Sequence, residues 1–184
     1  MLNRDNAQKP IRLLKRVEKY RGHVITVYED RLDIGGHEAY WDYIHHNGAA
    51  AVLPVTDDGE LLLVRQYRHA LGRYTLELPA GKRDGDEDFK VCAVRELKEE
   101  TGCTADSVEY LLTVNTTVAF LDEIIYIYLA RGLHAGEVSW DDDEELGVEK
   151  WKLEDLIEMI RRGEMTDSKT VSAIMTYANQ QAAL

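Results

Sequence analysis

The central feature of this sequence is Gly81–Cys103, which reads GKRDGDEDFKVCAVRELKEETGC. Its middle predicts a helix from about Asp86 to Thr101, and a loop rich in charged residues and glycine leads into that helix. Gly102 suits the position just past a helix end, because glycine readily adopts the left-handed backbone conformation found there.

Three glutamates stand at positions i, i+3 and i+4 of the predicted helix: Glu96, Glu99 and Glu100. Their Cβ atoms are expected about 5–6 Å apart on one face. An acidic cluster of this kind is often a solvated surface, but Phe89, Cys92 and Ala93 project onto the same sector and turn it inward. Inward carboxylates are unfavourable unless a cation neutralises them, and oxygen ligands suit Mg²⁺ or Mn²⁺. The pattern therefore predicts a divalent metal site.

This stretch resembles the signature of the Nudix hydrolases. The matching positions are Gly81, Glu87, Arg95, Glu96, Leu97, Glu99, Glu100 and Gly102. The sequence departs from the signature at Cys103, where the family usually has an aliphatic residue, and we expect this small side chain to pack in the core. The resemblance implies an α/β fold, specifically a Nudix-type α/β/α sandwich with a mixed sheet. It also implies that Glu96, Glu99 and Glu100 ligate the metal, and that Arg95 positions a neighbouring glutamate.

Composition narrows the functional classes. The 184 residues carry 34 acidic and 22 Lys or Arg side chains, a formal net charge of −12. Such a surface repels polyanions, so we expect no nucleic-acid partner. The two cysteines fit a reducing compartment. No apolar run approaches the roughly 20 residues of a membrane span, and the first ten residues are too polar for a signal peptide. We expect a cytoplasmic protein with no membrane partner.

The N-terminal region, residues 1–46, predicts two or three antiparallel strands with a turn at Gly35-Gly36. So few strands are not stable alone, and they must pack on the main domain or on a second subunit. A similar sheet in the nucleotide-sugar branch of the family implies a homodimer. In this chain, Tyr40-Trp41-Asp42 resembles the base-binding position of that branch, with Trp41 stacking on the base and Asp42 beside it. A strand tryptophan can equally be a core residue.

Residues 47–184 form the predicted Nudix hydrolase domain. Two strands at 49–55 and 60–67 are expected to form a hairpin through Asp57-Asp58-Gly59. Further strands are predicted at 74–78, 108–117, 123–130 and 148–153, and helices at 154–161 and 168–180. Ser168 is the expected cap of the last helix. The mixture of antiparallel strands and helices favours an α/β sandwich.

Cations cluster just upstream of the signature, at Arg65–His69 and Arg73, against the acidic balance of the chain. They are either an ordinary charged strand end or a clamp for a diphosphate, for which guanidinium groups are well shaped. The segment from Arg65 through Leu76-Glu77-Leu78-Pro79-Ala80-Gly81 resembles the ADP-ribose pyrophosphatase branch. That resemblance implies that Arg68 contacts phosphate, that the carbonyl of Ala80 joins the metal shell, and that Lys82 touches substrate.

An acidic run at residues 141–145 precedes the last strand, and runs of this kind are usually solvated loops. In the branch that the chain resembles, a loop here supplies the catalytic base. The best match is Glu145, with Glu144 second and Glu123 third.

The resemblance implies Mg²⁺-dependent hydrolysis of a nucleoside diphosphate sugar to a nucleoside monophosphate and a sugar phosphate. The catalytic residues would be Glu145, Glu100 and Glu99, and ADP-ribose would be the first substrate, GDP-mannose the second. Many ADP-ribose enzymes have Ser-Pro-Gly after the signature, whereas this chain has Thr117-Val118-Ala119, which leaves room for other sugars. The alternatives are a dinucleotide or dinucleoside polyphosphate hydrolase, and a module that senses a nucleotide sugar without cleaving it.

Overall fold

The structure is a computed structural model that describes residues 9–136 and 147–183. Its strands are β1 Ile11–Arg21, β2 Thr26–Ile34, β3 His37–His45, β4 Ala49–Pro54, β5 Leu61–Arg68, β6 Arg73–Glu77, β7 Ala80–Lys82, β8 Cys103–Asn115, β9 Ile124–Ala135 and β10 Gly147–Trp151. Its helices are α1 Phe89–Thr101, α2 Leu153–Arg161 and α3 Ser168–Ala182. None of the described helices combines the length and apolar character needed to cross a bilayer.

The chain divides into two compact units. The first contains the described part of Met1–His46 together with Thr117–Glu123. It is an antiparallel sheet in the order β1-β2-β3, so the predicted antiparallel arrangement is confirmed with three strands. Gly35 and Gly36 join β2 to β3 with φ angles of 61° and 90°, which only glycine adopts readily in succession.

The second unit contains Asn47–Thr116 and the described part of Ile124–Leu184. It holds a mixed four-stranded sheet, β7-β4-β9-β8, in which β4 and β9 are parallel, and a three-stranded antiparallel sheet, β10-β5-β6. Alternate residues of β4 enter two separate apolar clusters, one beneath α1 and one beneath α2 and α3. Because successive strand residues face opposite sides, the mixed sheet lies between the helices, as the α/β/α interpretation requires.

The predicted hairpin between β4 and β5 is wrong. The chain does turn at Asp57-Asp58-Gly59, but only one bridge, Val55 to Leu61, joins the two arms before they enter different sheets. Every residue of β4 and the first four of β5 are buried. A strand with apolar side chains on both faces must be covered on both sides. Strands β4 and β5 each obtain this cover in a different sheet.

Two helix starts differ from the sequence prediction. Helix α1 begins at Phe89 rather than near Asp86, because the side chain of Asp88 accepts hydrogen bonds from the backbone N–H groups of Lys90 and Val91. Helix α3 is capped by Asp167 rather than Ser168. Both starts use an aspartate cap, which satisfies N–H groups that have no partner inside the helix.

Candidate active site

Helix α1 presents two of its glutamates toward the protein interior. Its apolar side, with Cys92, Ala93 and Leu97, is fully or almost fully buried in the cluster against the mixed sheet. Glu96 and Glu100 lie beside this apolar side with 8% and 3% of their surface exposed. The predicted inward orientation is therefore observed for these two carboxylates. Glu99, by contrast, is only partly buried, with 43% of its side chain exposed.

The backbone of β7 lies directly against both buried carboxylates. The N–H of Ala80 donates a hydrogen bond of 2.9 Å to Oε2 of Glu100. A Cβ atom placed on Gly81 would stand only 1.9 Å from Oε1 of Glu96. The lack of a side chain at position 81 therefore allows this carboxylate to approach β7, and glycine is not there for its backbone conformation, since its φ is not in the left-handed region.

Arg95 links three carboxylates, those of Glu96 and Glu99 on α1 and that of Glu87 just before the helix. Its Nη1 donates to Glu96 at 2.6 Å and to Glu99 at 2.8 Å, while Nε and Nη2 donate to Glu87 at 3.1 and 3.0 Å. The hydrogen bonds from Arg95 lower the pKa of Glu87 to about 2, and those with Glu87 raise the pKa of Arg95. Arg95 thus contacts and orients its glutamate neighbours, as the signature implied.

The donor set of this face suits a hard divalent cation. Glu87, Glu96 and Glu99 share the guanidinium of Arg95, and Glu100 adds a fourth carboxylate, so the negative charge exceeds the charge of Arg95. Oxygen donors of this kind bind Mg²⁺ or Mn²⁺. However, among residues 9–136 and 147–183, no three His, Cys, Asp or Glu side chains converge to hold one ion. The residues fit the metal chemically, and the three-glutamate ligand set stays a prediction.

The two cysteines play packing roles. Sγ of Cys92 contacts the carbonyl oxygens of Gly81 and Lys82 at 3.6 and 3.5 Å and so joins α1 to β7. Burial, and secondarily the charge of Glu96, raises the pKa of the Cys92 thiol to about 12, which leaves it protonated and unreactive. Cys103 is buried in the apolar cluster beneath α1, so its expected packing role is confirmed.

Arg68 lies at the end of β5 and binds a buried carboxylate. Its Nε and Nη2 donate to Oε1 and Oε2 of Glu77 at 2.8 and 2.6 Å. Lys169 of α3 also donates to Oε2 of Glu77. The hydrogen bond with Glu77 raises the pKa of Arg68, and the charge of Glu100 acts in the same direction, which places the guanidinium within the field of that carboxylate.

Glu77 and Lys169 were not singled out by the sequence. The two residues are 92 positions apart, so no local pattern connects them. One signal was present: Glu77 stands between Leu76 and Leu78, and a charged residue between two buried leucines requires a partner. Burial by itself would raise the pKa of Glu77, but Arg68 and Lys169 outweigh it and lower the pKa to about 2.

Two other cationic residues that were considered for substrate binding in the second unit are Lys82 and Arg65. Lys82 is exposed on β7, and its carbonyl oxygen accepts a 3.0 Å hydrogen bond from Arg95. Arg65 does not share a face with Arg68, because three positions along a strand reverse the side-chain direction. Instead, Arg65 forms a bidentate pair with Glu149 of β10. The cationic cluster is therefore not one continuous clamp.

The remaining predictions fall in the first unit or outside the described residues. Trp41 is 49% exposed, so it is not a core residue of the first unit, and Asp42 is exposed on the opposite face of β3. Glu123 lies 3.5 Å from Nδ1 of His46. Glu144 and Glu145 lie outside the described residues.

Comparisons with known proteins agree with this fold. The NUDIX domain family matches residues 45–173. An ADP-ribose pyrophosphatase from Bacillus subtilis is 36% identical over 166 residues, which cover 89% of this chain and 90% of that protein. A methanol dehydrogenase activator from Bacillus methanolicus is 34% identical over 172 residues, covering 92% and 93%. The crystal structure of an ADP compounds hydrolase matches with a TM-score of 0.86 at 23% identity, covering 96% of this chain and 97% of that one.

The mixed sheet between helices and the acidic face of α1 define an α/β protein built around a carboxylate cluster. With the NUDIX match over residues 45–173 and a 36% identical relative along nearly the whole chain, the chain belongs to the Nudix family of hydrolases. The resemblance drawn from the signature and the predicted fold class are both confirmed.

Proposed function

We propose that this Nudix hydrolase cleaves the pyrophosphate bond of a nucleoside diphosphate sugar, with ADP-ribose as first substrate and GDP-mannose as second. The products are a nucleoside monophosphate and a sugar phosphate. Similarity to an ADP-ribose pyrophosphatase over about nine-tenths of both chains supports the substrate class. The structural observation that carries the proposal is the pair of buried carboxylates, Glu96 and Glu100, held against the backbone of Ala80 and Gly81.

The ligands of Mg²⁺, or Mn²⁺ in its place, would be Glu96, Glu100 and the carbonyl oxygen of Ala80, with Glu99 completing a second position. Such an ion supplies positive charge to phosphoryl oxygens and lowers the pKa of water. Arg95 holds Glu96 and Glu99 on one side of the helix, so their carboxylates are already gathered before substrate arrives.

The remaining steps belong to the protein's own side chains. Arg68 binds the phosphates through its guanidinium, and Lys82 contributes a second positive charge at β7. Glu145 orients or deprotonates the attacking water, with Glu144 and then Glu123 as alternatives. Trp41 stacks on the base, and Asp42, the next residue of β3, is the second substrate-binding residue that we assign to this segment. The protein acts in the cytoplasm as a homodimer whose N-terminal region contributes to base binding.

A substrate panel tests this proposal. ADP-ribose, GDP-mannose, a dinucleotide and a dinucleoside polyphosphate are incubated with enzyme and Mg²⁺, and the products are separated by ion-exchange chromatography. The proposal predicts AMP and ribose phosphate from ADP-ribose, and no turnover in EDTA. Preferential cleavage of the dinucleotide or the polyphosphate would favour that class of hydrolase instead. Binding of a nucleotide sugar without cleavage in the presence of Mg²⁺ would identify a sensing module.

A further inference from the structure

A buried acid that the proposed reaction does not use lies three residues before Ala80. Glu77 has 3% of its surface exposed and sits at the end of β6. Within the described residues, its carboxylate accepts four hydrogen bonds from three side chains on three elements. They are Arg68 of β5, which donates twice, Thr75 of β6 and Lys169 of α3.

The contact with Arg68 fixes the plane of the guanidinium. Glu77 accepts from Nε at 2.8 Å and from Nη2 at 2.6 Å, the two-point geometry of a carboxylate and an arginine. Nη1 of Arg68 makes no hydrogen bond within the described residues. Because the Nε edge is occupied, an incoming acceptor meets the Nη1 side of a guanidinium whose orientation is already set.

The other side of Glu77 is held by the start of α3. Lys169 is paired at 2.9 Å with Asp167, the cap of that helix, and Asp167 also accepts from the backbone N–H of Thr170 at 3.1 Å. The hydroxyl of Thr170 accepts a 2.9 Å hydrogen bond from the N–H of Leu78. The start of α3 therefore fixes both Glu77 and Leu78. These residues lead to Ala80, whose N–H donates to Glu100.

We propose that Glu77, held between Arg68 and Lys169, is a positioning residue that presents the Arg68 guanidinium to the diphosphate of the substrate. The two acids and two cations, Glu77, Asp167, Arg68 and Lys169, sum to zero charge. Their contribution is therefore orientation rather than added attraction. An arginine side chain free in solvent loses rotamer entropy when a ligand immobilises it, and a guanidinium already fixed by Glu77 avoids most of that loss. This inference rests on the proposed function, because it assigns Arg68 to phosphate.

The test is a double-mutant cycle between Glu77→Gln and Arg68→Ala. Binding of ADP-ribose, and separately of ADP, is measured by calorimetry in EDTA, so that the readout does not depend on turnover. KM and kcat for ADP-ribose are then measured with Mg²⁺. Glu77→Gln is expected to weaken metal-free binding and raise KM by about tenfold, with a smaller change in kcat. In the Arg68→Ala background, Glu77→Gln is expected to have no further effect on binding.

A matched control is Glu149→Gln, which breaks the other bidentate Arg–Glu pair of the same sheet, on the opposite face of β5. It is expected to leave binding unchanged. Glu77→Gln leaves Lys169 with a buried, weakened partner, and loss of folding is checked by near-ultraviolet circular dichroism. If that variant does not fold, Glu77→Gln with Lys169→Met removes the buried charge mismatch and enters the same cycle.

Unchanged binding and KM in a folded Glu77 variant would overturn the inference. The inference would also be overturned if Glu77→Gln weakened binding equally in the wild type and in the Arg68→Ala background. Glu77 would then act only by joining α3 to the sheet. If the wild type binds ADP-ribose or ADP but hydrolyses nothing in the panel, the proposed function fails while the cycle still decides the role of Glu77. If it binds neither probe and hydrolyses nothing in the panel, both proposals fail. If it binds neither probe in EDTA but turns over ADP-ribose with Mg²⁺, the proposed function stands and the KM values of the same cycle decide the role of Glu77.

Discussion

At the scale of single residues, the carboxylate of Glu96 occupies the space that a side chain at position 81 would need. A Cβ at position 81 would overlap the end of the Glu96 side chain, at 1.9 Å from Oε1. Because that end can rotate, we expect Gly81→Ala to fold while turning Glu96 away from β7. Affinity for Mn²⁺, followed by electron paramagnetic resonance, should fall at least about tenfold.

The control for this variant is Gly147→Ala, where the nearest atom to a new Cβ is Cβ of Arg65 at 3.9 Å and the backbone φ is not left-handed. It should bind Mn²⁺ like the wild type. Wild-type Mn²⁺ affinity in Gly81→Ala would show that the position of Glu96 against β7 does not matter for the metal.

Glu77 gives a pH prediction at the same scale. Its pKa is lowered from 4.5 to about 2 in the folded protein, so between these values the unfolded chain binds more protons. The stabilisation by Glu77 is therefore complete above pH 4.5 and is lost as the pH falls toward 2. Urea unfolding from pH 6 to 2.5 should show the wild type losing stability more steeply than Glu77→Gln. Parallel curves would mean that Glu77 titrates normally in the fold.

At the scale of elements, the sequence predicted α1 best. Its glutamate spacing and its end at Gly102, which has a φ of 71°, are local properties and were found without the fold. The pairing of β4 and β5 was predicted wrongly, because a turn signal does not say whether its two arms stay in one sheet. The Glu77–Lys169 contact was missed for a related reason: α3 reaches β6 only through the tertiary fold, across 92 positions.

The junction between α3 and the segment leading to Ala80 depends on one hydroxyl. Thr170 is fully buried, accepts from the N–H of Leu78 at 2.9 Å and donates to Asp167 at 2.5 Å. Thr170→Val keeps the shape but leaves that buried N–H without a partner, which should lower the free energy of unfolding by about 1–3 kcal/mol.

Thr170→Ser retains the hydroxyl and serves as the control at the same position. Denaturant titration should show Thr170→Ser closer to the wild type than Thr170→Val. The reverse order would mean that the methyl group, rather than the hydroxyl, holds this junction together.

At the scale of the whole molecule, the N-terminal sheet exposes large apolar side chains. Those with at least 49% of their surface exposed in the first unit include Ile11, Leu13, Tyr20, Tyr40 and Trp41. A three-stranded sheet with this much apolar surface in water favours association. Light scattering coupled to gel filtration is expected to give a mass twice the 21.0 kDa of one chain. A single-chain mass at all concentrations would refute the proposed homodimer.

The overall charge explains why local cations matter for this enzyme. With a formal net charge of −12, the surface as a whole repels an anionic diphosphate. Binding must therefore come from fixed positive groups, and the three that we propose are the oriented guanidinium of Arg68, the ammonium of Lys82 and a divalent ion at α1. Raising the ionic strength would screen the long-range repulsion more strongly than the short-range contacts with these fixed groups.

The central claim is that Glu96 and Glu100 of α1 hold the divalent ion that drives pyrophosphate hydrolysis. It is tested most directly by kcat of Glu100→Gln on ADP-ribose at saturating Mg²⁺, with folding checked by circular dichroism. This change removes one ligand charge and keeps the shape, so we predict a fall of at least roughly 100-fold. Turnover near that of the wild type would contradict the metal assignment.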